Sequence, residues 1–311
     1  MSPSPFAIET EGLTKVYRRW FGRTQVPAVA NLTLQVPTGR TYGFLGPNGA
    51  GKTTTIKMLL GLVRPSAGSG QLLGRPLGDQ EARRCVGFLP EEPSFASHLK
   101  ARDFLTYCAR LSRLPSEGRP QRIDQILELV GLSQEGSKRL SDFSRGMLER
   151  IGIAQAILHD PELLILDEPM TGLDPPGRRE IKKIMQDLGR QGKTLFFSSH
   201  ILTDVQELCD WVGILNRGRL VVSGPIADLL EAEGVQVTVP DLPATVIEKV
   251  APLVNAVERN GTHWNLRMSD AGQRDRVLEL LQEHGCRDVS VTELRQDLES
   301  LFMKTIEGDA L

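Results

Sequence analysis

The sequence predicts an α/β protein with a mixed, mainly parallel sheet, followed by a small α+β domain. Three observations support this fold class. A glycine-rich segment, 46–54, joins a short apolar stretch to a helical pattern, which gives the order strand, loop, helix. Two later apolar runs, 163–166 and 194–197, end in polar residues, as strands do at a ligand-binding sheet edge. After residue 234 the pattern changes to short alternating strands and helices.

Length and composition bound the possibilities. The chain has 311 residues, more than the ~100–200 of one typical domain, so we expect two domains, 1–233 and 234–311. Its formal net charge of −2 creates no field that would attract nucleic acid. The apolar runs are far shorter than the ~20 residues of a membrane span, and the N-terminus has no signal-peptide pattern. Four scattered cysteines lack metal-ligand spacing and indicate reduced thiols in a cytoplasmic protein.

The segment ahead of the glycine-rich loop is predicted to be rich in β-structure. Residues 6–17 are interpreted as a pair of strands and 18–28 as an exposed loop, and the alternation in 29–36 predicts a half-buried strand. Tyr17 has two interpretations of equal weight at this point. Its ring either stacks on an adenine base or packs on the sheet.

The glycine-rich loop carries the most specific motif. It matches G-x-x-x-x-G-K-[ST], the phosphate-binding loop of P-loop NTPases. Glycines let backbone N–H groups converge on phosphate oxygens, and the following helix adds its positive N-terminal end. Lys52 is expected to neutralise the β- and γ-phosphates, and the Thr53 hydroxyl to bind Mg²⁺. The expected nucleotide-binding residues of the loop are Gly46, Pro47, Asn48, Gly49, Ala50, Gly51, Lys52, Thr53 and Thr54.

Two features lie between this loop and the next buried strand. The predicted strand 86–89 runs into Pro-Glu-Glu-Pro, where Glu91 is either part of an exposed turn or a second contact to Mg²⁺ and the attacking water. A mostly helical stretch, about 97–160, is interpreted as an insertion in the α/β core. Ser144 is expected to cap its last helix, and a capped helix end also suits an anion.

Carboxylates follow the apolar run 163–166. Asp167 is expected to hold the hydration shell of Mg²⁺, and Glu168 to take a proton from the attacking water. Charged residues are seldom buried without partners, so function explains this pair better than stability does. His200 follows the next core strand and is expected to face the same sheet edge.

The C-terminal part, 235–311, is predicted to have the order β-α-β-β-α-β of a ferredoxin-like domain. It contains 13 acidic residues against 8 lysines and arginines. A net negative domain is a poor ligand for RNA or DNA, so no nucleic-acid partner is expected.

Taken together, residues 6–233 resemble the nucleotide-binding domain of ABC transporters. The resemblance covers about three-quarters of the chain and implies a RecA-like P-loop core with an antiparallel β subdomain and a helical insertion. The loop 46–53 resembles the Walker A motif, and 163–168 the Walker B strand with its catalytic glutamate. His200 resembles the switch histidine, and 172–174 the D-loop, which implies that Asp174 contacts nucleotide.

Three further positions are interpreted through this resemblance. Tyr17 stands where the family has its adenine-stacking aromatic residue, and Glu91 where it usually has the Q-loop glutamine. The signature L-S-G-G-Q reads F-S-R-G-M at 143–147, in which Ser144 and Gly146 keep the hydroxyl and the close backbone approach to a γ-phosphate. Similar substitutions occur in a bacterial exporter branch whose ATPase carries a C-terminal extension.

The resemblance implies an ATPase with ATP and Mg²⁺ as its cofactors. Each ATP would lie in a head-to-tail dimer, between the Walker A loop of one chain and the Ser144 loop of a second copy or a paralogous ATPase subunit. A separately encoded ABC permease would provide the only membrane contact and hold the subunit at the cytoplasmic face of the cell membrane. The implied catalytic residues are Lys52, Glu91, Glu168 and His200, and the implied Mg²⁺ ligands are Thr53, Glu91 and Asp167.

Two alternatives to an exporter subunit remain at this point. One is a soluble ABC ATPase in translation, repair or regulation, although such relatives usually have two cassettes in one chain or a long coiled-coil insertion. The other is a catalytically dead regulatory subunit, which the intact Lys52, Asp167 and Glu168 argue against. A neighbouring permease gene would favour the exporter over the soluble ATPase.

Overall fold

The computed structural model describes residues 4–17, 27–230, 232–240, 242–269, 271–286, 288–295 and 297–308. Most of the loop expected at 18–28 therefore lies outside the described residues. The chain divides into two compact units. One unit runs to Ile226 and includes the segment from Thr305, and the other is Ala227–Lys304.

The first unit combines ten strands and eight helices among its described residues. The strands are β1 (Phe6–Lys15), β2 (Val29–Pro37), β3 (Thr41–Leu45), β4 (Ala67–Leu72), β5 (Arg75–Pro76), β6 (Val86–Leu89), β7 (Leu163–Asp167), β8 (Thr194–Ser199), β9 (Trp211–Asn216) and β10 (Arg219–Pro225). The helices are α1 (Lys52–Leu59), α2 (Gln80–Arg84), α3 (Ala101–Leu111), α4 (Arg119–Leu129), α5 (Arg145–Ile157), α6 (Pro175–Arg190), α7 (Leu202–Leu208) and α8 (Ile226–Leu229), the last of which continues into the second unit.

A six-stranded mixed sheet forms the centre of this unit, as the sequence predicts. Its strand order is β10-β9-β3-β8-β7-β6, with parallel pairing throughout except between β9 and β10. Strands β3, β7 and β8 are buried along their whole length. Their side chains share one core with α1 and with β1 and β2 of the antiparallel sheet. In the register of β7 and β8, Asp167 lies opposite Ser198. The polar ends of these strands therefore meet at one edge.

The antiparallel sheet differs from the prediction in one element. The interpretation of 6–17 as two strands is wrong, because β1 is one continuous strand paired with β2 on one side and β4 on the other. Gly12 lies inside β1 with φ 59°, at an irregularity where the register of both pairings shifts. A bulge keeps both hydrogen-bond ladders, whereas a turn would lose them. The complete sheet order is β2-β1-β4-β5.

The helical insertion has the predicted arrangement. Helices α3, α4 and α5 are separated by the proline-containing segment after Leu111 and by two short 3₁₀ turns, Ser133–Glu135 and Leu140–Asp142. The hydroxyl of Ser144 accepts the Met147 N–H at 3.3 Å, so Ser144 caps α5 as the sequence predicts.

Aromatic packing joins the strands of the central sheet. The Phe196 ring lies 5.6 Å from the Tyr42 ring and 5.3 Å from the Phe44 ring, measured between centroids. All three side chains are fully buried. Their packing ties β3 to β8, the two strands that flank the candidate site, and makes this edge of the sheet a rigid support.

The second unit has the predicted ferredoxin-like topology. Its elements are β11 (Ala232–Pro240), α9 (Ala244–Val250), β12 (Ala256–Asn260), β13 (His263–Met268), α10 (Ala271–Glu283), β14 (Ser290–Arg295) and α11 (Leu298–Gly308), of which α11 ends in the segment grouped with the first unit. The antiparallel strand order is β12-β13-β11-β14. Val237 and Leu266 of the sheet pack with Val250 and Leu281 of the helices in one buried core. Among the described helices, none is both long and apolar enough to cross a membrane.

Candidate functional site

A cleft of about 270 Å³ opens at the glycine-rich loop between β3 and α1. Most of its lining belongs to this loop, and two carboxylates complete it from other elements. The lining residues are Ala28, Pro47, Asn48, Gly49, Gly51, Lys52, Thr53, Thr54, Glu91 and Glu168. The structure thus brings the loop together with Glu168 and Glu91, as the sequence predicts.

Gly51 shows why the loop needs glycine. Its φ is 108°, and a Cβ at this position would lie 2.4 Å from the carbonyl oxygen of Ala28. No other residue fits both the conformation and the space. The turn lets α1 begin directly at Lys52, and the first-turn N–H groups of a helix have no partner within that helix. The cleft therefore adjoins a helix end that suits phosphate.

Lys52 is buried and fully engaged by the protein. Its Nζ donates to the Gly46 carbonyl at 2.7 Å and to the Pro47 carbonyl at 3.4 Å. It also lies 3.2 Å from Oε1 of Glu168, and both side chains are 7% exposed. This ion pair places the ammonium group and the carboxylate side by side, within reach of one phosphate group.

Glu168 is held from several directions. The Thr171 hydroxyl donates to its Oε2 at 2.9 Å, and His200 Nδ1 lies 2.8 Å from the same oxygen. Burial opposes ionisation of this carboxyl, but Lys52, Thr171 and His200 together hold its pKa below the usual range. Glu168 also has φ 52°, a left-handed conformation that is uncommon outside glycine and clusters at functional sites.

Asp167 lies beside Glu168 at the end of β7 and is 2% exposed. Burial raises the pKa of its carboxyl, although hydrogen bonds from Ser198 and Thr53 act in the opposite direction. A buried carboxylate next to a hydroxyl offers the hard oxygen donors that Mg²⁺ takes alongside waters and phosphate oxygens. The described residues contain no group of three or more acidic, histidine or cysteine side chains that could hold a metal by itself. The pair Thr53 and Asp167 therefore fits Mg²⁺ better than it fits a metal with an all-protein ligand set.

Sequence reasoning missed Ser198 as a site residue. Its hydroxyl donates to Asp167 Oδ1 at 2.6 Å and accepts the Glu168 N–H at 2.9 Å. One fully buried side chain of β8 thus holds both acidic residues of β7. The signal was a serine at the polar end of a buried strand, but its partners depend on the neighbour order in the sheet, which the sequence alone does not give.

Six of the expected nucleotide-binding residues do not line the cleft: Gly46 and Ala50 of the loop itself, and Tyr17, Ser144, Gly146 and Asp174 from other segments. Tyr17 is 48% exposed and packs against the Lys15 ammonium group, 5.2 Å from the ring centroid. Ser144 caps α5, and Asp174 caps α6 by accepting the Gly177 N–H at 3.2 Å. Ser144 and Asp174 are both exposed, and neither lines the cleft at the glycine-rich loop.

Comparison with known proteins gives a family match and close relatives. Residues 29–171 match the family model described as ABC transporter. The ABC transporter ATP-binding protein sll0415 of Synechocystis is 40% identical over 303 residues, which cover 96% of this chain and 84% of that protein. The bacitracin transport ATP-binding protein BcrA of Bacillus licheniformis is 36% identical over 313 residues and 98% of both chains.

A solved structure described as the ATP-binding subunit of an ABC transporter superposes on the chain with a TM-score of 0.63. The two sequences are 30% identical, and the match covers 72% of this chain and 91% of the other. The α/β fold with its P-loop is confirmed by this similarity.

Proposed function

The chain belongs to the ABC transporter family of ATP-binding, ATP-hydrolysing proteins, and from that premise we propose that it is the ATPase subunit of an exporter. A separately encoded permease would span the membrane and hold this subunit at its cytoplasmic face. The observation that carries the proposal is the cleft, where Lys52, Asp167 and Glu168 meet at one sheet edge beside the phosphate loop. The name of BcrA assigns that relative to bacitracin transport, which supports a transport role over a soluble regulatory one.

The proposed chemistry begins with the phosphates of ATP on the loop. Backbone N–H groups at the start of α1 would donate hydrogen bonds to phosphate oxygens. The Lys52 ammonium group would move from Glu168 to the γ-phosphate. Thr53 and Asp167 would hold Mg²⁺, which supplies charge neutralisation between the β- and γ-phosphates. Glu91 also lines the cleft, and it would contact the hydration shell of this ion.

Hydrolysis needs a base for the attacking water. Once Lys52 turns to phosphate, Glu168 loses its cationic neighbour and gains proton affinity, which suits a general base. His200 and Thr171 keep its second oxygen fixed, so the first oxygen faces the cleft. His200 is also the group nearest this carboxylate that could sense the γ-phosphate.

The site is proposed to be completed by a second chain. Ser144, Gly146 and Asp174 do not line this chain's own cleft, although the family resemblance assigns them to nucleotide. A head-to-tail dimer of identical or paralogous subunits would bring the Ser144 loop of one chain over the cleft of the other. Closing that dimer on ATP would then drive the permease.

Purification of the tagged chain from detergent-extracted host membranes tests this proposal. We expect a polytopic membrane protein to co-purify and to change the rate of ATP hydrolysis, with Glu168→Gln as the inactive control. Robust hydrolysis by the chain alone, with only soluble proteins recovered, would contradict the transporter role and favour a soluble regulatory ATPase.

A further inference from the structure

A contact between the signature loop and the turn after β7 has no role in the chemistry above. Arg145 follows the cap residue Ser144, and its Nη2 donates to the Thr171 carbonyl oxygen at 2.9 Å. The Thr171 hydroxyl in turn donates to Glu168 Oε2 at 2.9 Å. Two hydrogen bonds through one residue therefore connect the loop at Ser144 to the carboxylate in the cleft of the same chain.

The fit around the Arg145 side chain is close. Gly172 has φ 70°, and a Cβ there would lie 2.5 Å from the Arg145 guanidinium carbon. The guanidinium thus lies directly against the backbone of the turn, in space that a side chain at position 172 would need. The Thr171 N–H also donates to the Glu168 carbonyl at 3.1 Å, so the turn between these two residues is closed. Moving Thr171 would move the partner of Glu168.

We propose that Arg145 is a positioning residue for Glu168 of its own chain and acts through Thr171. The inference rests on the proposed function, in which Ser144 and Gly146 contact the ATP bound by a second chain. The loop that closes one ATP site would then order the general base of the other site. Hydrolysis at the two sites of the dimer would be coupled through this contact.

A competing role for Arg145 is direct contact with the ATP of the partner's site, since it lies between Ser144 and Gly146 and is itself exposed. The two roles predict different behaviour. A positioning residue affects the rate of hydrolysis and depends on Thr171. A phosphate ligand affects the ATP-driven association of the two chains and does not depend on Thr171.

A double-mutant cycle on kcat for ATP tests the positioning role. We expect Arg145→Ala and Thr171→Val each to lower kcat about threefold to tenfold, the range for losing one hydrogen bond, and KM to change less than twofold. The kcat of the double variant should be no lower than that of the less active single variant, because both changes break the same path. Thr171→Ser, which keeps the hydroxyl, should restore most of kcat, and Arg179→Ala on the exposed face of α6 should leave it unchanged.

Two results would overturn the proposal. One is a loss of kcat in the double variant that equals the product of the two single losses, about tenfold to a hundredfold. The free-energy effects of independent residues add, so their fold-changes multiply. The other is a normal kcat in Arg145→Ala.

The ATP-driven dimer of Glu168→Gln separates this proposal from the proposed function. Adding Arg145→Ala to that variant should leave the dimer dissociation constant within about twofold, since the path ends at the residue already changed. A weakening of more than about tenfold would make Arg145 a ligand of the partner's ATP and would overturn the positioning role. If Glu168→Gln alone forms no dimer with ATP, the proposed dimer fails and the coupling between sites fails with it. The kcat cycle then still decides whether Arg145 positions Glu168 within one chain.

Discussion

The cleft and the signature loop are built in opposite ways, although the family resemblance assigns both to ATP binding. In the cleft, Lys52, Asp167 and Glu168 are each less than 10% exposed and are bound to one another or to Ser198. At the signature loop, Ser144 and Arg145 are exposed, and their hydrogen bonds go to backbone groups, the Met147 N–H and the Thr171 carbonyl.

This difference indicates which half is complete before a second chain arrives. Buried charges are stable only when they are paired and hydrogen-bonded, so the cleft must be assembled when the chain folds. A loop whose ligand is bound by another molecule can stay exposed, because water hydrates its polar groups until that ligand arrives. On the proposed function, one chain therefore contains an assembled catalytic half and a binding half that a second chain completes.

The largest expected effect comes from removing the proposed general base, Glu168. Glu168→Gln should lower the hydrolysis rate by about 10²–10⁴-fold, the usual contribution of a general base, and should retain ATP binding because Lys52 loses a competing partner. Single-turnover hydrolysis and equilibrium binding of a fluorescent ATP analogue measure the two quantities. Glu117→Gln, an exposed loop residue, is the matched control. Unchanged turnover in Glu168→Gln would show that another group is the base.

A second prediction concerns the frame that both halves share. Asp204 of α7 is fully buried and binds two cations of α6, Arg178 at 2.6 Å and Lys182 at 2.9 Å. Asp204→Asn should lower the free energy of unfolding by about 3 kcal/mol, because it leaves two partly buried cations without a charged partner. Urea denaturation measures this change.

The control uses the same lysine. Glu207, the exposed acidic partner of Lys182, should contribute only about 0–1 kcal/mol when changed to Gln. Equal losses in Asp204→Asn and Glu207→Gln would contradict the account of α6 and α7 as joined by a buried ion pair.

A third prediction concerns Glu149, which is buried in α5, the helix that begins at the exposed signature loop. Burial raises the pKa of the Glu149 carboxyl to about 7, which the nearby positive charge of Arg145 only partly offsets. The carboxyl of the unfolded chain loses this proton near pH 4.5, so the free energy of unfolding falls as pH rises from about 4.5 to about 7. Glu149→Gln removes the titration. It should stabilise the protein by about 2–3 kcal/mol at pH 8 and by little at pH 5.

Thermal or urea unfolding of Glu149→Gln and wild type at both pH values provides the measurement. Glu128→Gln, an exposed glutamate of α4, should show no pH-dependent difference. A gain of the same size at pH 5 and pH 8 would mean that the carboxyl is not the cause.

The smallest expected effect tests the binding half in isolation. Ser144→Ala removes the cap of α5 and should lower the free energy of unfolding by about 1 kcal/mol. Binding of ATP to the isolated chain should not change, because Ser144 does not line its cleft. The rate of ATP hydrolysis should fall by a much larger factor than this loss of stability would cause. A loss of ATP affinity in the monomer would place Ser144 in the same chain's site and contradict the division into two halves.

The sequence predicts the cleft well because its chemistry is local. The loop at 46–54 and the pair Asp167 and Glu168 are each contained in one short motif that also specifies strand, loop or helix. Ser198 and Arg145 acquire their contacts from the fold instead. The first depends on β8 lying beside β7, and the second on the turn at Thr171 reaching the start of α5.

The error in the fold prediction has the same origin. The pattern of 6–17 predicts two short strands, and a glycine at position 12 would allow a turn between them. Pairing of β1 with β2 and β4 on its two sides decides for one continuous strand with a bulge. Around Gly12 these ladders pair residues 19 or more positions apart, so no short window of sequence contains the deciding interaction.

The most direct test of the two-half account is the molar mass of the Glu168→Gln variant, measured by sedimentation with and without ATP and Mg²⁺. The account predicts a change from 34.3 kDa to twice that mass with ATP, because only a second chain can bring Ser144 to the cleft. The added change Ser144→Ala should weaken this association. A variant that binds ATP at saturation and stays at 34.3 kDa would contradict it.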